Sequence, residues 1–152
     1  MAGEAELGSR TGDLANPDQR LRPSERWRLA REIVVSYLLV RRALRREPIA
    51  VVLARLREAE AIAAVRPAES SLIASRRLGG AVGRLLALLP GDTRCLVRSL
   101  VLVRLLARRG IPAKLIIGTR SKPDFLAHAW VEVAGEPVIP SGGGSFGRLA
   151  EL

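Results

Sequence analysis

The stretch from Cys95 to Gly110, CLVRSLVLVRLLARRG, limits the fold more than any other part of the chain. Between Leu96 and Leu106 apolar residues occupy nearly the whole circumference of a 3.6-residue helix, broken only by Arg98, Ser99 and Arg104. A helix apolar on one stripe lies on a surface, whereas one apolar all round has to be covered on every side. Other elements must therefore pack around this helix, which becomes the axis of the domain. Its ends are also legible. Pro90 and Gly91 make a turn, Asp92 or Thr93 can cap the N-terminus, and Gly110 suits the left-handed position that closes the C-terminus. Cys95 then falls in the first turn.

The cover on one side is helical. Residues 1–22 mix glycine, charged and small residues without an apolar period and are expected to form a mobile, disordered tail. From RPSERW onward, Ser24 can cap and Glu25 suits the positive end of the helix dipole. Trp27, Ala30, Ile33, Val34, Tyr37, Leu38 and Leu44 then keep helical spacing to about Arg46. Pro48 fits the first turn of a second helix, with Ile49, Val52, Leu53 and Leu56 on one stripe, and Pro67 ends that region. A third helix is expected from Glu69 to Leu89. Gly79, Gly80 and Gly83 each weaken it by about 1 kcal/mol against alanine, which predicts a break or a close helix crossing near Gly79.

After Gly110 the apolar period falls from 3.6 to 2. IPAKLIIGTR and FLAHAWVEV read as strands joined by a loop at 121–124, and a two-residue turn at Ala134-Gly135 leads into a third strand, EPVIP. The glycine-rich end, SGGGSFGRLAEL, is expected to be loop with at most a short terminal turn. The fold class is α+β, a helical N-terminal half packed on a small antiparallel sheet. With 152 residues, 48% hydrophobic and only 3% aromatic, the chain has material for one aliphatic core. A single domain is expected over 23–152, helical over about 23–91, with the axial helix and the sheet over about 92–141.

Composition removes several functions. A formal net charge of +10 favours acidic partners, but no groove-reading helix or stacking aromatics accompany the arginines, which argues against nucleic acid as the partner. The apolar runs IVVSYLLV and AIAAV are too short for a transmembrane segment, and no basic-then-apolar leader opens the chain, so a cytoplasmic protein is expected. One cysteine forbids an internal disulfide, and one cysteine with one histidine does not make a zinc site.

Those two residues are nevertheless the notable pair. A lone cysteine is often only a small buried hydrophobe, and a lone histidine on a strand only a satisfied core residue. Cys95, however, starts a helix, where unpaired backbone N–H groups and a partial positive charge favour a thiolate and can receive an oxyanion. His128 is the one imidazole available as its base. Trp130 and Glu132 share the face of His128. Glu132 stands about 13 Å along the strand, too far to hydrogen-bond the ring, and is structural or substrate-facing.

The segments CLVRSLVLVRLLARRGIPAKLIIGTR and AHAWVEVAGEPV, with a likeness extending over about residues 24–140, resemble the transglutaminase-like B-type leader peptidases of lasso-peptide biosynthesis. The resemblance implies a papain- or transglutaminase-like cysteine peptidase core in which Cys95 is the nucleophile and His128 its base. The family also places an acidic residue on the following strand to orient the imidazole. Here the two-residue turn pairs Val133 with Glu136, so His128 should face Ser141, with Pro140 beside it. Glu136 stands about 15 Å away. The orienting group is then Ser141, or Asp124 folding in from the loop, or the pair works as a dyad.

The resemblance further implies removal of the leader peptide from a ribosomally made lasso precursor. It brings in a separate leader-recognition protein and a lasso cyclase as partners, and no metal or organic cofactor. Arg94, Arg98 and Arg104 flank the expected site and are candidates for contact with an acidic leader. Two other readings stay open: a non-catalytic module of the same fold that only grips a peptide, and a basic nucleic-acid binder.

Overall fold

The computed structural model describes residues 22–52, 54–55, 68–89, 95–120, 126–139 and 146–151. Three helices, α1 (Pro23–Arg46), α2 (Ala68–Leu86) and α3 (Cys95–Ala107), precede four strands, β1 (Lys114–Arg120), β2 (Leu126–Val133), β3 (Glu136–Pro137) and β4 (Gly147–Glu151). Residues 49–52 and 54–55 are also helical, where the sequence places a second helix after Pro48. Val52 is buried there, but Ile49 is exposed rather than part of a buried stripe.

α3 is the axis. Val97, Leu100 to Val103 and Leu105 to Ala107 are all buried, and the helix touches α1, α2, β1 and β2. Its C-terminus is closed by Gly110 with φ 69°, the Gly110 N–H donating to the Ala107 carbonyl and the Ile111 N–H to the Leu106 carbonyl, both at 3.0 Å. That pair of bonds is a Schellman closure, which frees the chain to reverse into the sheet.

α1 presents Ile33, Ser36, Tyr37 and Val40 inward at spacings of three and four. It starts one residue before the expected cap: Ser24 lies inside the first turn, and the N-cap is Arg22, whose N–H donates to Glu25 Oε2 at 2.9 Å. Pro23 explains the shift, since its fixed φ and missing N–H suit the first helical position. The rest of the expected N-terminal tail lies outside the described residues.

α2 runs through Gly79 and Gly80 without the expected break. A Cβ at Gly79 would stand 3.2 Å from Val138 Cγ1, so the glycine admits the chain that follows β3 rather than another helix.

The sheet is antiparallel in the order β3-β2-β1-β4. β1 pairs with β2 from Lys114–Glu132 to Arg120–Leu126, and the Ala134-Gly135 turn, with φ of 52° and 82°, sets Val133 against Glu136 as the sequence predicts. The C-terminal loop expectation is overturned: residues 147–151 form an edge strand on β1. Of the four glycines that suggested a loop, three precede the strand and only Gly147 lies in it, as its first residue. Ile117 pairs with Ala150 but Gly118 with Arg148, so Leu149 is an extra residue in a β-bulge.

Leu115, Ala129, Val131, Val133 and Val138 join the helices in the main hydrophobic cluster. The other face of the sheet carries Ile116, Gly118, His128, Trp130 and Glu132 by alternation.

Candidate active site

Cys95 is the first helical residue of α3 and carries a free, partly buried thiol. The first N–H groups of a helix have no intrahelical acceptor and point outward beside it. Asp92, Thr93 and Arg94 lie outside the described residues.

One turn further on, Ser99 is almost fully buried and donates its hydroxyl to the Ala129 carbonyl at 3.1 Å. At 1.5 Å per residue, Cys95 stands about 6 Å along the helix from this bond. Ala129 directly follows His128. One hydrogen bond thus ties the start of the helix to the histidine's part of β2.

The availability of that carbonyl follows from strand geometry. Alternate residues of an antiparallel strand aim their N–H and C=O groups at the same neighbour. The Val131 carbonyl accepts from the Val138 N–H at 2.9 Å, so the Ala129 carbonyl points to the same side, past the end of β3. Continuing the register of Glu132 with Pro137 would oppose Ala129 with residue 140, a proline without an N–H to give. Ser99 supplies the donor instead. The helix thus contacts β2 through a backbone carbonyl beside His128 as well as through its apolar side chains.

The imidazole sits among aromatic rings. It lies parallel to Trp130 within 20° at 6.2 Å between centroids, and against Phe146 at 5.3 Å and 33°. The Arg120 guanidinium covers Phe146 at 5.6 Å from the ring centroid. His128 Nε2 is buried without a hydrogen-bond partner among the described residues, and burial lowers the pKa below the ordinary imidazole value. A neutral imidazole is the form that accepts a proton. Among the described residues no hydrogen bond joins Cys95 to His128. The hydrogen bond that ties the two segments is Ser99–Ala129, four residues after Cys95 and one after His128.

Glu132 is structural. It is 6% exposed and accepts from Trp130 Nε1 at 2.9 Å and from Arg148 Nη2 at 2.8 and 3.0 Å. The carboxylate fixes the indole that lies beside His128, and Arg148 balances its charge. Gly118 makes room for this arrangement, because a Cβ there would come within 2.8 Å of the Trp130 ring.

Ser141 and Asp124, the two candidates for orienting the imidazole, lie outside the described residues. Arg98 and Arg104 are half-buried, each with Nε lacking a partner among those residues. Among the same residues no group of three His, Cys, Asp or Glu side chains is placed to hold a metal, and no helix is long and apolar enough to cross a membrane.

Sequence reasoning passed over Ser99, Phe146 and Arg148. The signal for Ser99 was present, as the sole hydroxyl in the apolar run from Leu96 to Leu106. Phe146 and Arg148 were masked by the glycines before them.

A buried helix that opens on a cysteine and is fastened to a histidine-bearing strand of an antiparallel sheet is an arrangement of the transglutaminase class. The Transglutaminase-like superfamily profile matches residues 15–151, and the chain belongs to that family. Over 44 residues the chain is 48% identical to the microcin J25-processing protein McjB of Escherichia coli, a match covering 29% of this chain and 21% of that protein. Together they bear out the resemblance read from the sequence. No solved structure matches the chain.

Proposed function

We propose that the chain is a cysteine peptidase that removes the leader from a ribosomally made lasso-peptide precursor in the cytoplasm, beside a separate leader-recognition protein and a lasso cyclase. The observation that carries this reading is the Ser99–Ala129 hydrogen bond, which holds the Cys95 end of α3 against the strand residue next to His128. Membership of the transglutaminase-like family and the partial match to a microcin-processing protein support it.

The chemistry follows from the residue types. His128 takes the thiol proton, and Cys95 Sγ attacks the carbonyl carbon of the scissile peptide. The first-turn N–H groups of α3 receive the oxyanion. The C–N bond then breaks as His128 returns the proton to the leaving amine, and water, deprotonated by His128, cleaves the thioester. Burial keeps the imidazole neutral and ready for the first step.

One observation favours a second reading. With no Cys95–His128 hydrogen bond among the described residues, the same scaffold suits a module that grips a peptide without cutting it. The test is to mix the protein, its recognition partner and a candidate precursor and to look for the leader fragment by mass spectrometry. Cys95→Ala abolishes the fragment and retains binding if the peptidase reading is right. Unchanged processing by that variant removes it.

A further inference from the structure

The β-bulge between β1 and β4 decides which side chains meet His128. Ile116 and Ile117 pair with Glu151 and Ala150, whereas Gly118 and Thr119 pair with Arg148 and Gly147. A one-residue slip in register moves every following side chain to the opposite face of a sheet. The extra residue, Leu149, points to solvent and is 70% exposed. Past it, Arg148 and Phe146 fall on the face of His128, Trp130 and Glu132 rather than on the helix face. Without the slip, Phe146 would face the other way.

The side chains use the position they are given. Phe146 packs on the imidazole at 5.3 Å and near Trp130 at 6.4 Å, under the Arg120 guanidinium, and Arg148 closes on Glu132. Gly118, opposite both His128 and Arg148, lets β4 and the indole approach together: a Cβ there would stand 2.8 Å from Trp130 and 3.0 Å from the Gly147 carbonyl. Trp130 is itself fixed by Glu132, and the three ring centroids stand 5.3, 6.2 and 6.4 Å apart, so Trp130 and Phe146 meet the imidazole as the other two corners of a triangle.

Resting on the peptidase reading above, we propose that Phe146 is a positioning residue, delivered by the Leu149 bulge, which completes a triangle of rings with Trp130 and so braces the His128 ring in the orientation that serves Cys95. Ring-on-ring contact restricts the tilt of the imidazole without a hydrogen bond, the job otherwise given to an orienting carboxylate. The charged groups on this face are Lys114 and Arg120 of β1, Glu132 of β2, and Arg148 and Glu151 of β4, with Glu151 paired to Lys114 and Arg148 reaching both carboxylates.

Because the chain has one histidine, its imidazole resonances are unambiguous in a proton NMR titration. Phe146→Ala is expected to shift those resonances, to move the midpoint up toward the ordinary value of 6.5, and to lower kcat for leader release about tenfold to a hundredfold with KM unchanged. Phe146→Trp restores both, and Phe146→Leu, which keeps the fold's apolar volume, loses the ring effect alone. An unchanged titration and kcat in folded Phe146→Ala overturns this bracing role. So does a loss of rate that follows thermal stability while the imidazole signal stays put. A wild-type protein that binds precursor and releases no leader overturns the peptidase reading instead, and the NMR shift separates that failure from failure of the contact.

Discussion

His128 concentrates the account at the scale of single residues. Burial among Trp130 and Phe146 disfavours its charged form, so its folded pKa lies below 6.5. The unfolded chain therefore takes up the proton first as pH falls, and linkage makes stability decrease with acidification through the window at and below that value. Above it the histidine contributes no slope. Urea unfolding at a series of pH values is expected to show this decrease and to lose it in His128→Gln. Glu151, whose carboxyl Lys114 holds below its usual value by a hydrogen bond, adds a separate loss only at lower pH. A stability that rises as pH falls from neutral through 6.5 would contradict the burial of the imidazole.

Between elements, the Ser99–Ala129 bond does what neither partner does alone, since it fixes α3 to β2 where β3 has ended. Ser99→Ala leaves a buried carbonyl without a donor at a cost of about 1–3 kcal/mol. It is expected to lower the urea midpoint and to reduce kcat for leader release more than Ser99→Thr, which keeps the hydroxyl. Equal kinetics for the alanine and threonine variants would show that the bond does not position the cysteine. The elements themselves were largely legible. The all-round apolar run gave the axial helix, Gly110 gave its closure, and the change of period gave β1 and β2. What escaped was set by partners distant in sequence. Gly79 reads as a helix breaker until Val138 arrives against it, and residues 147–151 read as loop until the exposed edge of β1 offers them a ladder. The candidate site divides in the same way. Helix start and strand histidine carry local signals, whereas the tie between α3 and β2 rests on Ser99 reaching a carbonyl 30 residues away, and the ring contact depends on a bulge.

At the scale of the whole molecule, the helices and one sheet face enclose a single aliphatic core, leaving the other sheet face to hold the polar and aromatic residues around His128. The aliphatic core and the ring cluster around His128 thereby lie on opposite faces of one sheet. The net charge of +10 lies on a chain proposed to meet a peptide partner, and it bears on encounter rather than on bond cleavage. The central claim is that one sulfur and one imidazole act as a unit. Groups that act together are strongly non-additive when removed. The most direct measurement is the rate of leader release, with recognition partner and precursor present, by wild type, Cys95→Ala, His128→Ala and the double variant. Each single variant is predicted to fall to the uncatalysed background, with the double variant no slower than either. Substantial cleavage by Cys95→Ala, or losses that simply multiply in the double variant, would contradict it.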